Sequence, residues 1–290
     1  MPAPSQHWTT DLRAPAAALP VGSIDCHFHI FGSPQEYRLR TGRGYTPVEA
    51  SFESYVAALR AQHEALGISG GLIAHPGDAY GSDNTVTRKA LEILGPTYRA
   101  TALIDFNWPV NVLVELAAQG FIGARVNVGS ASMHGAADLV GLAPRFREVG
   151  WHFSLMLDMA SMHSEYEYLS NLGVPVVVEH YGFPDPAEGT EAEGFQALLR
   201  LVGEGKATVK LSSQFRFSRE ADPYRDTWKF TRALCRANPD GVVWGSDWPF
   251  IAFGGMMPDA ARLLDGLREA IGDEAVFRRV MVENPARLLG

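Results

Sequence analysis

From Ile24 to the end of the chain, short runs of apolar and β-branched residues alternate with longer segments in which apolar side chains recur every three or four positions. The first pattern suits strands buried on both faces and the second suits amphipathic helices. Eight runs read as strands: Ser23–Ile30, Gly70–Ala74, Arg99–Ile104, Gly123–Val128, His152–Leu157, Val174–His180, Thr208–Ser212 and Gly241–Gly245. Between and after them fall helical stripes such as Phe52, Tyr55, Val56, Leu59 and Leu66, then Phe195, Leu198, Leu199 and Val202, then Ala260, Leu263, Leu264 and Leu267. Eight strand-helix repeats with no linker between them predict an α/β fold, a closed (β/α)8 TIM-type barrel, rather than an open doubly wound sheet.

That pattern changes the domain count. At 290 residues two domains would be a fair starting guess, but a barrel takes about 250 residues as one. We therefore expect residues 22–290 to form a single barrel. Residues 1–21, with several prolines and alanines and no periodicity, read as an extended N-terminal tail lying on it. The longest irregular stretches, Gly32–Ser51, Tyr181–Gly194 and Phe215–Asp226, all follow strands. In a barrel they would build the catalytic face.

Composition adds exclusions more than assignments. With 46% apolar and 20% charged residues the chain is an ordinary globular one, and its net charge of −8 argues against nucleic acid or an anionic membrane as a partner. Cys26 and Cys235 are far apart and belong to no Cys-x-x-Cys pair, so a reducing compartment is the simpler expectation. Neither a basic leader with an apolar run nor a stretch of about 18 apolar residues occurs, which points to the cytoplasm. The oligomeric state is not legible in the pattern.

Three strand ends carry ionisable groups. His27-Phe28-His29 closes strand one; residues two apart share a face, so both imidazoles are expected to project into the barrel mouth, with Cys26 and Phe28 packing outward. A lone strand histidine is usually a satisfied core residue, but a pair at alternate positions favours function. Glu179-His180 ends strand six, and Gly245-Ser246-Asp247-Trp248-Pro249 ends strand eight. Here Gly245 is expected to turn the chain and deliver Asp247, while Pro249 stops further pairing. The bland alternative for Asp247 is a turn or helix-capping aspartate.

His27-Phe28-His29 after an Ile-Asp, the lone His180, the WGSDWP at the end of strand eight and the C-terminal NPARLL together resemble the amidohydrolase superfamily, amidohydrolase family 2. More narrowly they resemble its lactonase branch, of the 2-pyrone-4,6-dicarboxylate lactonase type. The resemblance runs from about residue 22 to 290, and Arg-Gly-Tyr-Thr-Pro at 43–47 and Gly-Ser-Asp-Asn at 81–84 resemble loops of that branch. It implies a barrel that acts on a cyclic ester. By position it also implies that Tyr45 and His75 donate hydrogen bonds to substrate.

The wider superfamily implies metal ligands on strands one, four, five, six and eight. Here strand four offers Arg125, which cannot bridge metals, and strand five offers Leu155, Met156 and Leu157 in place of a histidine. A two-metal site is excluded on those grounds, while one zinc on His27, His29, His180 and Asp247 stays chemically open. The lactonase branch implies that no cofactor is required. Residues 127–132, Asn-Val-Gly-Ser-Ala-Ser, lack the basic residue found there in the branch, and Phe250 stands where its members often have histidine.

Arg125, and Arg216 in competition with Arg219, would face the same mouth, and guanidinium groups bind carboxylates bidentately. Arg125 has a second role open to it, as an internal ion-pair partner. The expectation is thus a lactonase for a small anionic lactone, 2-pyrone-4,6-dicarboxylate-like or a sugar-acid lactone. Asp247 would activate water as general base, His27, His29 and His180 would stabilise the oxyanion, and Arg125 and Arg216 would hold the substrate. Lactone isomerisation and mononuclear-zinc decarboxylation are the alternatives on the same fold, and a non-enzymatic binding barrel is a third.

Overall fold

The computed structural model of the protein describes residues 3–4, 7–128, 134–251 and 253–290. Eight parallel strands follow one another around a barrel: β1 Ile24–Phe28, β2 Gly70–Ala74, β3 Tyr98–Ala102, β4 Phe121–Val128, β5 His152–Leu157, β6 Val176–Val178, β7 Ala207–Leu211 and β8 Val242–Trp244. Each pairs with its sequence neighbour. The (β/α)8 barrel expected from the hydrophobic pattern is therefore the fold. Strand six is shorter than the apolar run because His180 and Tyr181 take left-handed backbone angles, φ 54° and 57°. No helix among the described residues is long and apolar enough to cross a membrane.

The helices bury the stripes that predict them. Phe52–Leu66 starts where the Ser51 hydroxyl accepts from the Ser54 amide and stops at Gly67, φ 79°. Ala260–Ile271 starts at Asp259, whose carboxylate accepts from the Ala261 and Arg262 amides. Phe28, on the outer face of β1, packs edge-on to His63 of the first helix, while Cys26 joins a small apolar cluster with Leu72, Val243 and Leu289. The Asn of NPARLL, Asn284, donates to the carbonyls of Pro239 and Val242, tying the last helix to the base of β8.

Residues at the N-terminus lie against the body. Trp8 is buried on Tyr55 and Trp248, with ring centroids 4.7 and 5.5 Å away. Further along, Arg268 donates to the carbonyls of Ala17 and Ala18. Ala3–Pro4 pairs with Tyr45–Thr46 in the loop after β1.

The seam between β1 and β8 closes through backbone bonds just beyond the strand ends. The Asp247 amide donates to the His27 carbonyl and the His29 amide to the Trp248 carbonyl, both at 2.8 Å. Asp25 reinforces it from below: its Oδ1 accepts from the amides of His27 and Ser246, at 3.0 and 2.9 Å. Gly245 differs from expectation here. Its φ is not in the left-handed region, whereas that of Asp247 is, at 60°. Glycine is needed at 245 for close approach, since a Cβ there would lie 2.5 Å from the His27 Cβ and 2.8 Å from its amide nitrogen.

Gly245→Ala should accordingly destabilise the protein by about 1–3 kcal/mol, the usual scale for overpacking. Urea denaturation measures it. A stability equal to wild type would mean that the seam has slack.

Candidate active site

Loops at the carboxyl ends of the strands enclose a cavity of about 340 Å³ whose lining includes His29, Tyr45, His75, Arg125, His180, Arg216 and Asp247. His27 does not line it. It is fully buried one layer deeper in the barrel, edge-on to His29 and His180 with ring centroids 5.0 and 4.5 Å away. Alternate positions do put both imidazoles on the inner face of β1, but two residues also climb the strand, so only His29 reaches the mouth.

Asp247 is completely buried at the cavity floor. Its Oδ2 accepts from the Ser213 hydroxyl and from Arg216 Nε, the latter at 3.2 Å. Its Oδ1 faces His29 Nε2 at 3.4 Å and His27 Nε2 at 3.6 Å. Burial works against the carboxylate, but Arg216, His180 and His29 outweigh it and hold the group well below the ordinary aspartate range. The turn-or-cap alternative does not describe it, because both oxygens face site side chains. His180, Ser213 and Asp247 all have φ between 54° and 61°, so three groups at this floor sit on strained backbone at strand ends.

The imidazoles are held from behind. His29 Nδ1 donates to the Ala74 carbonyl at 2.6 Å, and His180 Nδ1 lies 2.8 Å from Ser212 Oγ. Burial lowers the pKa of His180 to about 4 against the opposing pull of Asp247 and Glu179, so it is neutral at pH 7.

Beneath this floor lies a buried charge cluster. Glu179 does not reach the rim as its position next to His180 implied. It turns inward, and its two oxygens accept from Arg125 Nε and Nη2 at 3.0 and 2.6 Å, with the Ser154 hydroxyl added at 2.8 Å. Arg125 gives its remaining edge, Nη1, to the His75 carbonyl at 2.8 Å. Its fork is thus committed to Glu179, the ion-pair role left open by the sequence. Lys210, in the middle of β7, is wholly buried beside them. Sequence patterning passes over it, although a lysine within Ala-Thr-Val-Lys-Leu, on the same face as Ser212, was a visible signal.

Arg216 rather than Arg219 faces the cavity, since Arg219 pairs with Asp185 on the surface at 2.8 Å. His75 lines the cavity with both ring nitrogens engaged, one on Thr87 Oγ1 and the other on the Gly81 carbonyl, each at 2.8 Å. It therefore tethers a loop and has no nitrogen left to donate to substrate. Tyr45 is buried at the wall, and burial raises its pKa, so its phenol stays a proton donor. The sequence did not single out Arg40. This exposed lining residue makes no ion pair among the described residues, and its Nη1 reaches only the Gly77 carbonyl at 3.4 Å. Residues 129–132 of the neutral stretch after strand four lie outside the described residues.

Two groups among the described residues have metal-binding composition, His27-His29-Asp247 and His27-Glu179-His180, with ligand atoms within 4.8 Å in each. Residues 24–290 match the Amidohydrolase family. Over 292 residues the chain is 33% identical to a 4-sulfomuconolactone hydrolase of Hydrogenophaga intermedia, covering 98% of this chain and 93% of that one. It is 28% identical to a 2-pyrone-4,6-dicarboxylate hydrolase of Comamonas testosteroni, covering 97% and 94%. Identity to a D-galactarolactone isomerase of Agrobacterium fabrum is 27%, covering 95% and 93%.

The buried histidines set a pH dependence of stability. Burial lowers His75 and His180 to about 4 and His152 to about 3, from an ordinary value of 6.5. Between those values the unfolded chain binds protons that the folded one does not, so this stability is present above pH 6.5 and is lost as pH falls through the folded values. Every tenfold difference in proton affinity between the two states is worth about 1.4 kcal/mol. Urea midpoints should fall steeply between pH 6.5 and 4, and a flat profile there would mean that these rings are already protonated when folded.

Proposed function

The chain belongs to the amidohydrolase family, and from that premise we propose that it is a hydrolase that opens a small lactone carrying an acid group. The observation that carries this is the buried, ionised Asp247 on the floor of a cavity, ringed by His29, His180 and Arg216. Asp247 takes a proton from the attacking water through Oδ1, the oxygen not already bonded to Ser213 and Arg216. With Ser212 donating to Nδ1, His180 presents Nε2–H toward the cavity, and this donor together with Arg216 stabilises the oxyanion as the carbonyl becomes tetrahedral. The departing ring oxygen then recovers the proton from Asp247. His27 acts from the layer beneath, by orienting Asp247.

A metal ion fits this set poorly. Glu179 is already bidentate with Arg125, and Asp247 already shares an oxygen with Arg216, so the carboxylates that would offset the charge of an ion are balanced by fixed cations. The proposed reaction accordingly uses no cofactor. Zinc-dependent decarboxylation is disfavoured for the same reason. Lactone isomerisation remains the second reading, favoured by the isomerase among the relatives, because one aspartate shuttling a proton between two oxygens serves either outcome. The unpaired Cys26 and Cys235 fit a reducing, cytoplasmic setting.

For the acid group of the substrate, Arg40 is the cavity-lining guanidinium that no carboxylate engages among the described residues, since Arg125 is paired with Glu179 and Arg216 with Asp247. Two of the relatives have a sulfonate or carboxylates in the names of their lactones. Arg40, held by its backbone amide on the Ala79 carbonyl at 2.7 Å, stands at the entrance with its charge free.

Incubation with a panel of lactones, followed by proton release and product analysis, should show hydrolysis that survives EDTA. Asp247→Asn should lower kcat by about 10²–10⁴ with little change in KM. Near-wild-type turnover by that variant would remove Asp247 from the chemistry, and loss on chelation that zinc restores would make the site metal-dependent.

Substrate charge is tested with an acid lactone and its methyl ester. Arg40→Ala should weaken kcat/KM for the acid by roughly 10–150-fold, about 1.5–3 kcal/mol for a hydrogen bond to a charged group, and leave the ester nearly unchanged. Arg125→Ala should damage both equally through the loss of the partner of Glu179. Equal losses for Arg40→Ala would show that it reads no anion.

A further inference from the structure

Lys210 has no part in the proton transfers and substrate contacts around Asp247. Its ammonium is completely buried, 3.2 Å from His27 Nδ1 and 3.7 Å from Glu179 Oε1. Glu179 does not need it, having three shorter bonds from Arg125 and Ser154. The nearer partner is the imidazole. Two cations, the buried Lys210 and the partly buried Arg125, stand against two buried carboxylates, Glu179 and Asp25, so a charged Lys210 leaves the cluster neutral.

An ammonium has three protons and no lone pair, so it can only donate. A donor on Nδ1 forces the proton of a neutral His27 onto the other nitrogen. We propose that Lys210 is a positioning residue that fixes His27 as the Nε2–H tautomer, aiming a proton at Asp247 and leaving no lone pair on Nε2 for a metal ion. His27 Nε2 and Asp247 Oδ1 are 3.6 Å apart; Nε2 has no hydrogen-bond partner among the described residues, and Oδ1 also faces His29 Nε2 at 3.4 Å. An N–H at that point faces the base without competing for the oxygen that Ser213 and Arg216 occupy. Because both metal-competent groups run through His27, one buried lysine also turns a superfamily metal cradle into a donor array.

The catalytic part of this rests on the lactonase assignment, whereas the tautomer and metal parts do not, so the experiment keeps them apart. In isotope-labelled-histidine NMR of the wild-type protein, with His27 assigned through His27→Gln, the His27 ring should show a protonated Nε2 and a bare Nδ1. The opposite tautomer overturns the proposal, and this measurement needs no variant of Lys210 to fold. Dialysed against zinc and then buffer, wild type should retain none, while Lys210→Met, a near-isosteric change without donors, should retain measurable zinc, short of a full site because Glu179 and Asp247 keep their arginines, and lose it again with His29→Gln. Tight zinc binding by wild type, or none by a folded Lys210→Met, would also overturn it. Lys210→Met should lower kcat roughly 10–100-fold at similar KM, the scale for losing an outer partner of a site residue. Failure of wild type to open any lactone would sink the assigned reaction while the NMR and zinc results stood.

Discussion

The bonds across the seam between β1 and β8 set the position of the groups around Asp247. The paired histidines come from the end of the first strand and Asp247 from beyond the last, so nothing local in the chain relates them. Their spacing is fixed because the Asp247 amide donates to the His27 carbonyl and the His29 amide to the Trp248 carbonyl, while Asp25 holds the amides of both strands on one oxygen. Glycine at 245 lets the two backbones come this close. The 3.4 and 3.6 Å distances from Asp247 to the two imidazoles follow from that approach, as does the burial that gives these contacts their strength.

Below the seam the barrel interior holds charges that would be costly alone. Glu179, Arg125, Lys210 and Asp25 are tolerated because each meets a partner of opposite sign or several hydrogen bonds. This cluster sits directly under Asp247, His29 and His180, so its pairing decides what that upper layer can do. It engages Arg125 on Glu179 and leaves the exposed Arg40 as the cavity-lining guanidinium with no ion pair among the described residues.

Strain is concentrated at the same level. His180, Ser213 and Asp247 occupy left-handed backbone angles, which cost non-glycine residues about 1–3 kcal/mol each. The barrel beneath supplies the burial that offsets this, with β6, β7 and β8 each ending just before the strained residue.

The amino-acid sequence by itself determined the barrel, because buried parallel strands and amphipathic helices impose periods that survive in one dimension. It also determined the principal rim residues, since His-x-His and a Gly-Ser-Asp-Trp-Pro turn are local patterns. Those patterns contain no information on depth or partner. Whether His27 or His29 reaches the cavity depends on how far each rises along β1. Whether Arg125 reads a substrate or neutralises Glu179 depends on two side chains 54 positions apart. His75 spends one nitrogen on the loop at Gly81 and the other on Thr87 of the next helix, and Lys210 finds His27 across 183 residues. Only the tertiary structure decided these roles, because a hydrogen bond or an ion pair is a matter of a few ångströms between atoms whose separation along the chain says nothing about their distance in space.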